Sequence, residues 1–540
     1  MKVLAELKRR NVSFGPDAPT RRDFLRNASL LTLGAGLGAL PICGWSVGDD
    51  ILRIRGFTDL STLDPPMTLS GAEGMIVEAI NLSLIRYRPG DTWEWQLDAA
   101  EAFEQIDDTH YAFRLRPGIQ FSNGFGEMTA EDVKYSLERI IDPALKSPNL
   151  PDMGTLSHVE VSDRYSGVIV LKSPFAAFVA IGMCGYTCCI VSKKAMASVG
   201  GRFNIEPPSC SGPYRFVSWQ SKRKTVLERN PDWTGPTGAF REIHVYPMPD
   251  VKAGELAFEA GALDCTQTSI EAVDVFRRAM PAHSRLRVLP ALRYHWLGMN
   301  LEHPKLTDLR VRRAIQYGID VKAVIEAAWF GLATPATGII APGLIGHRNA
   351  ADVPLAGDPD RARRLLAEAG IELPLKLTLS LQSRSLELTA GQVIQWSLKK
   401  IGIEVELDPQ DNATLISMGS EAAGERWRDL QLHLTSFFML GDPYYATAWF
   451  VGEQVGIWNW ERFRSEEFDR LHREAMATLD TDTRDRMYQR MQHLMEASGC
   501  YRFLAHDVGA MLSRDWIVPA STAGGSPVLR GFKRGSASTS

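Results

Sequence analysis

Apolar positions in this chain recur at two spacings, and both are plainest in residues 110–143, HYAFRLRPGIQFSNGFGEMTAEDVKYSLERIIDP. Tyr111, Phe113 and Leu115 fall on every second residue, the spacing that sets apolar side chains on one face of a strand. Pro117-Gly118 turns the chain, Ile119 and Phe121 repeat the alternation, and Asn123-Gly124 supplies residues that tolerate left-handed backbone. Then the period changes. Val133, Leu137, Ile140 and Ile141 form a helical stripe, opened by Thr129 with Asp132 three residues on and closed by Asp142-Pro143.

The same reading extends along the chain. Ile51, Leu52 and Ile54 predict a strand before Pro65-Pro66, residues 75–87 a helix closed by Arg86-Tyr87-Arg88-Pro89-Gly90, and residues 93–97 a strand. Residues 309–317 and 321–329 predict helices, the second begun by Asp320. Asp358-Pro359 and Gly370 frame another helix, with Leu365, Leu366 and Ala369 on its buried face. Residues 388–401 repeat that pattern up to Gly402, after which Ile403, Val405 and Leu407 alternate. Strands separated by helices of this length predict parallel βαβ packing. From Ser521 onward Gly, Ser and Thr dominate with a few basic residues, which predicts a partly disordered end.

Several of these stretches carry specific wording. RLRPGIQFSNG with MTAEDVKYSLERI, LERNPDWTGP, LRVRRAIQYGID, the Gly212-Pro213-Tyr214 segment and residues 465–475 resemble the family 5 extracellular solute-binding proteins, the dipeptide and oligopeptide binding proteins of ABC importers. The resemblance spans nearly everything after residue 50. It departs locally at Asn123-Gly124, where the family usually has Asp-Gly. It implies an α/β, periplasmic binding protein-like type II fold: two hinged lobes with an extra domain inserted in the first. The implied domains are 49–66, 190–290 and 505–530 for domain I, 67–189 for domain II and 291–504 for domain III, with 531–540 as a flexible tail. Hinges are expected near 286–294 and 500–507. The implied activity is capture of a small solute or peptide in an interdomain cleft by a monomer, for delivery to an ABC permease and ATPase complex at the inner membrane.

Residues 434–449, LTSFFMLGDPYYATAW, hold the position that such a cleft would use. In peptide-binding relatives an acid just upstream of Gly-Asp-Pro pairs with the peptide ammonium. Here that place falls on or near Met439, and residues 437–440 contain no acid. A non-peptide solute, such as an opine or a sugar conjugate, therefore stands as the alternative. Asp442 has two readings, a helix cap with Pro443 behind it or a substitute partner for the ammonium. Phe438, Met439, Gly441, Asp442, Tyr444, Trp458, Asn459 and Trp460 are the candidate ligand-binding residues in this half, in a sequence also rich in Phe437, Tyr445 and Trp449. Ser211 and Gly212 are candidates in the other half, either as exposed amides near the cleft or as a turn leading into a strand.

Composition narrows the alternatives. At 540 residues with 45% hydrophobic and 23% charged, the chain is long enough for two to four globular domains. The formal charge of -4 argues against nucleic acid as partner. Thr20-Arg21-Arg22-Asp23-Phe24-Leu25 before the apolar run 28–40 resembles a twin-arginine export signal, so residues 1–48 read as a leader and the periplasm as the destination. That run is too short to anchor the chain in a bilayer. Without the first 43 residues the charge falls to about -8. A lipid anchor on Cys43 would need a small residue where Ile42 stands. Gly34-Ala35-Gly36-Leu37-Gly38 imitates a dinucleotide fingerprint but has no strand before it.

Of the seven cysteines, Cys184, Cys188 and Cys189 cluster, and buried apolar thiols, a disulfide or a metal site all remain open for them. No cofactor, metal or catalytic residue is assigned. The sequence has no Gly-x-Ser-x-Gly elbow, HExxH or P-loop lysine, and His158 with Glu160 only alternates along a strand. An exported hydrolase and a metal or haem binder are the rival classes.

Overall fold

A computed structural model describes residues 50–535. The arginine pair, the glycine run, Cys43 and residues 536–540 of the expected tail lie outside them.

Two long antiparallel strands, Ser284–Met299 and Tyr501–Arg514, form the spine. On one side the sheet continues through Cys265–Thr268, Ile51–Gly56, Glu242–Pro247, Lys224–Arg229 and Tyr214–Gln220; on the other through Leu432–Phe438, Leu375–Gln382 and Ile403–Gln410. The pairing of the two spine strands slips between Pro290 and Tyr294, and again between His295 and Trp296. Bulges of this kind bend a strand and loosen its ladder locally. Both lie inside or beside the stretches where hinges are expected.

Beyond the slip, Leu375–Gln382 and Ile403–Gln410 pair in parallel and are joined by the helix Ser385–Lys399, as their spacing predicts. The helix Pro359–Glu368 begins where Asp358 accepts a hydrogen bond from the Arg361 amide at 2.9 Å. Asp320 likewise caps Val321–Ala328 through the Ala323 amide at 3.1 Å.

A second, antiparallel sheet is built from Ala100–Gln105, His110–Leu115, Ser166–Leu171 and Leu156–Val161 in that order. Tyr111, Phe113 and Leu115 are among its buried positions. The helix Ala130–Ile141 covers it, and Asp132 accepts from both the amide and the hydroxyl of Thr129 at 2.9 Å, the cap that their spacing suggests.

Apolar side chains gather in three main clusters. One is centred on Leu52, Ile54, Ile76 and Ile243, a second on Phe113, Leu137, Phe175 and Phe178, and the third on Trp296, Ile315, Leu379 and Tyr501.

Two local expectations are corrected. The helix read over 75–87 spans Gly71–Ile80, and Ile85–Tyr87 is a strand paired with Trp95–Leu97. The apolar residues 82, 84 and 85 suit either period; pairing with Trp95–Leu97 makes Ile85–Tyr87 a strand, and Asn81 turns its side-chain amide back onto the Val77 carbonyl at the helix end. That helix also packs into the first cluster, through Met75, Ile76, Val77, Ala79 and Ile80, although it falls within the sequence assigned to domain II. The end of the chain is ordered as far as it is described. Val528, Leu529 and Phe532 are buried, and Lys533–Arg534 pairs with Ile517–Val518. Arg530 grips both oxygens of Asp98 at 3.0 and 2.9 Å. Three apolar anchors and one buried ion pair suffice to hold a stretch whose composition reads as loose.

Candidate functional site

The segment after the strand Leu432–Phe438 crosses from the third cluster to the second. Leu440, Tyr444 and Tyr445 pack against the cluster that contains Phe113 and Phe178. Gly441 is required here, because a Cβ at this position would run into the Tyr87 hydroxyl and approach the Trp93 ring at 3.1 Å. Tyr444 meets Phe175 edge-on at 5.2 Å and stacks on His472 at 5.3 Å. A backbone hydrogen bond from Ala176 to the Met476 carbonyl, 2.8 Å, closes the same seam. Segments far apart in sequence thus contribute to one aromatic seam: Tyr87, Trp93 and Phe175 from residues 87–175, and Tyr444 and Tyr445 from the segment after Leu432–Phe438.

Aromatic contacts continue outward. Tyr445 lies 5.5 Å from Phe438 and 5.4 Å from Trp449, and Trp449 and Phe437 lie 5.7 and 6.0 Å from Trp458. Phe438 is 50% exposed, the open end of a ladder that begins at the buried Trp296. Large rings half-covered in this way form the apolar walls on which a ligand body packs.

The remaining sequence-derived candidates are put to other uses. Asp442 is buried, with its Oδ1 accepting from the Tyr444 amide at 2.9 Å and both oxygens accepting from Arg484 at 2.9 Å. Burial pulls the Arg484 guanidinium down, and the facing Asp442 carboxylate more than restores it. The carboxylate is therefore a helix cap and half of an ion pair, with no charge left over for an ammonium. Met439 is 2% exposed and sits in the third cluster. Asn459, at 0%, donates its amide to the carbonyls of Phe450 and Phe463 and accepts from the Phe463 amide, so it ties a loop together. Trp460 packs with Leu415 and Leu430 in a small core of its own. The amides of Ser211 and Gly212 both donate to the Ile80 carbonyl, at 3.0 and 2.8 Å, so this is a turn and not an exposed amide pair. In the conformation described, Phe438, Tyr444 and Trp458 keep exposed surface, and Met439, Asp442, Asn459, Trp460, Ser211 and Gly212 are covered by protein.

Other residues at the seam escape a sequence reading. Asp152, on the short turn Leu150–Met153, is pushed up to about 6 by burial. Tyr186 and Tyr445 are each raised to about 12, by burial first and then by the Asp152 charge. Within the cysteine motif at 184–189 the Asp152 charge thus reaches both the Tyr186 phenol and the Cys188 thiol. Cys184, Cys188, Cys189, Cys210, Cys265 and Cys500 are buried and free, and burial pushes the thiols of Cys184 and Cys210 up to about 12 and about 11. Among the described residues no group of three His, Cys, Asp or Glu side chains is placed to hold a metal ion. His158 and Glu160 are 3.3 Å apart on an exposed strand edge.

The family model for the bacterial extracellular solute-binding proteins, family 5 middle, matches residues 94–456. The chain belongs to this family. It is 25% identical over 486 residues to the glutathione-binding protein GsiB of Shigella flexneri serotype 5b, covering 87% of this chain and 91% of that one. It is 26% identical over 481 residues to the probable D,D-dipeptide-binding periplasmic protein DdpA of Escherichia coli K12, covering 86% and 90%. Among solved structures, HbpA2 from Haemophilus parasuis superposes with a TM-score of 0.78 at 21% identity, covering 90% of this chain and 100% of that one. The fold of this solute-binding protein is accordingly the two-lobed type II architecture. No helix among the described residues is long and apolar enough to cross a membrane.

Proposed function

We propose that this family 5 solute-binding protein captures a peptide or peptide-like solute between its lobes, in the periplasm, and presents it unchanged to the permease and ATPase of an ABC importer. The observation that carries this reading is the aromatic seam, to which segments far apart in sequence contribute rings whose faces are not fully covered. A solute lying there touches both lobes at once. Closure is then favoured by the solute's differential affinity for the closed state, and the slipped pairing at Pro290–Tyr294 is where the spine strands can bend to allow it. A micromolar dissociation constant corresponds to about 8 kcal/mol, within reach of one charge-assisted bond and the burial of an apolar body after ordering costs.

The peptide class is supported by the relatives whose names specify glutathione and a dipeptide. An opine or sugar conjugate is the second reading, favoured by the neutralised Asp442 and by the lack of an acid in residues 437–440. Export by the twin-arginine route and a monomeric state belong to the same proposal. The test is a thermal-shift screen with dipeptides, tripeptides, opines and sugars, followed by calorimetry and solution scattering. A solute that raises the melting temperature and contracts the particle supports the reading. A preparation that never contracts but turns over chromogenic esters or peptides refutes it.

A further inference from the structure

Asp442 cannot serve a cationic solute, yet the seam contains another carboxylate. We propose that Asp152 is the group that pairs with a positively charged group of the solute, an ammonium or guanidinium, from the first lobe's side of the cleft. This inference rests on the solute-binding reading above.

Its position comes first. Asp152 lies half-buried on the turn Leu150–Met153, whose chain reverses at Gly154 with φ 55°, and a Cβ at Gly154 would strike the Phe175 ring. Phe175 is the ring that meets Tyr444 at 5.2 Å. The Asp152 charge is felt by Tyr186, Tyr444 and Tyr445. An unpaired, half-buried carboxylate on a turn that packs against the seam ring Phe175 attracts a cation by its charge.

Its lack of a partner comes second. Among the described residues the Asp152 carboxylate has no hydrogen bond and no ion pair, and burial alone accounts for its upward shift. The other acids nearby are spoken for. Asp98 is held by Arg530 and Arg86, Asp64 by Arg139, Asp442 by Arg484, and Glu78 has Arg530 and Arg86 beside it. Asp152 is thus the seam carboxylate whose compensating charge has to come from outside the chain.

The experiment measures dissociation constants for a panel of dipeptides and tripeptides, each with a free amino terminus and N-acetylated, on the wild-type chain, Asp152→Asn, Asp152→Ser and the exposed-strand control Glu160→Gln. Expected is a 10- to 100-fold loss of affinity for the free-amine peptides in both Asp152 variants, roughly the worth of one bond to a charged group. The acetylated peptides should bind the wild type weakly and ignore the substitutions. Circular dichroism and a melting midpoint no lower than wild type show that the variants are folded. If Asp152→Asn binds free-amine peptides as the wild type does, the proposal is overturned. It is equally overturned if neutral solutes bind and free-amine peptides do not, although the carrier reading then stands. If nothing in the panel or the wider solute screen binds, both fall.

Discussion

Substituting Asp442 by Asn separates the two roles that this residue can have. The Asp442 and Arg484 side chains are 6% and 7% exposed, so solvent screens their attraction little. Arg484 also donates to the Ala475 carbonyl at 3.1 Å, which fixes the guanidinium whether or not its carboxylate is present. An asparagine side chain in place of the carboxylate would keep an oxygen for the Tyr444 amide, so the helix cap survives and the loss is confined to the charge. Leaving a buried guanidinium unpaired costs about 3–5 kcal/mol. Asp442→Ala adds about 1 kcal/mol for the cap. Pairing Asp442→Asn with Arg484→Met removes both charges and should recover much of the loss, since residues in contact are not additive. The assay is urea unfolding followed by tryptophan fluorescence, reading the midpoint and slope of each variant together with calorimetric solute binding. A midpoint that does not move in Asp442→Asn, with solute binding abolished, would refute the argument and return Asp442 to the cleft.

Three other outcomes rest on the same contacts. Folding lifts Asp152 from about 3.8 to about 6, so the folded state is penalised for its charge: not at all below pH 3.8, increasingly between the two values, and fully above pH 6. Asp152→Asn should therefore stabilise the solute-free protein by about 1–2 kcal/mol at pH 7.5, allowing for partial exposure, and by nothing at pH 3.5, read from urea midpoints at the two pH values. Gly212→Ala would put a Cβ 2.7 Å from the Ala79 carbonyl oxygen and 2.8 Å from the Ile80 carbonyl carbon, both backbone, and should cost more than about 2 kcal/mol by the same measurement. Arg530→Met leaves the buried Asp98 with the Arg86 guanidinium and the Ser83 amide, and a loss of about 3 kcal/mol in urea unfolding, with faster proteolysis of residues 521–535 in limited digestion, is expected.

Much of the local structure is open to a reading of the chain, because caps, turns and periodicities are settled among residues a few positions apart. Thr129 with Asp132, Asp358 with Pro359, and the alternation at 111–115 behave as their neighbours dictate. The wording of several segments also points to the family, and through it to the two-lobed fold. The boundary near Asn81 is not legible in the same way, because residues 82–85 satisfy both periods and only pairing with Trp95–Leu97 chooses between them.

The site is legible in part. Local sequence marks Phe438, Tyr444 and Trp458 as rings, and Asp442 as a helix cap. Whether a charge or an amide is available to a ligand, however, depends on what folds against it. Arg484 lies 42 residues from Asp442, and Asp98 lies 432 residues from Arg530. Asp152 is set apart from other aspartates only by the phenols that two separate segments bring to it and by the absence of a cation among the described residues around it. Most of the helices, strands and turns, and the lineage of this protein, are legible in its sequence, since those depend on short-range sterics and pattern; the strand at Ile85–Tyr87 is not, because a distant partner decides it. The tertiary structure alone decided which carboxylates are already neutralised, since electrostatic pairing acts over ångströms in space and ignores distance along the chain.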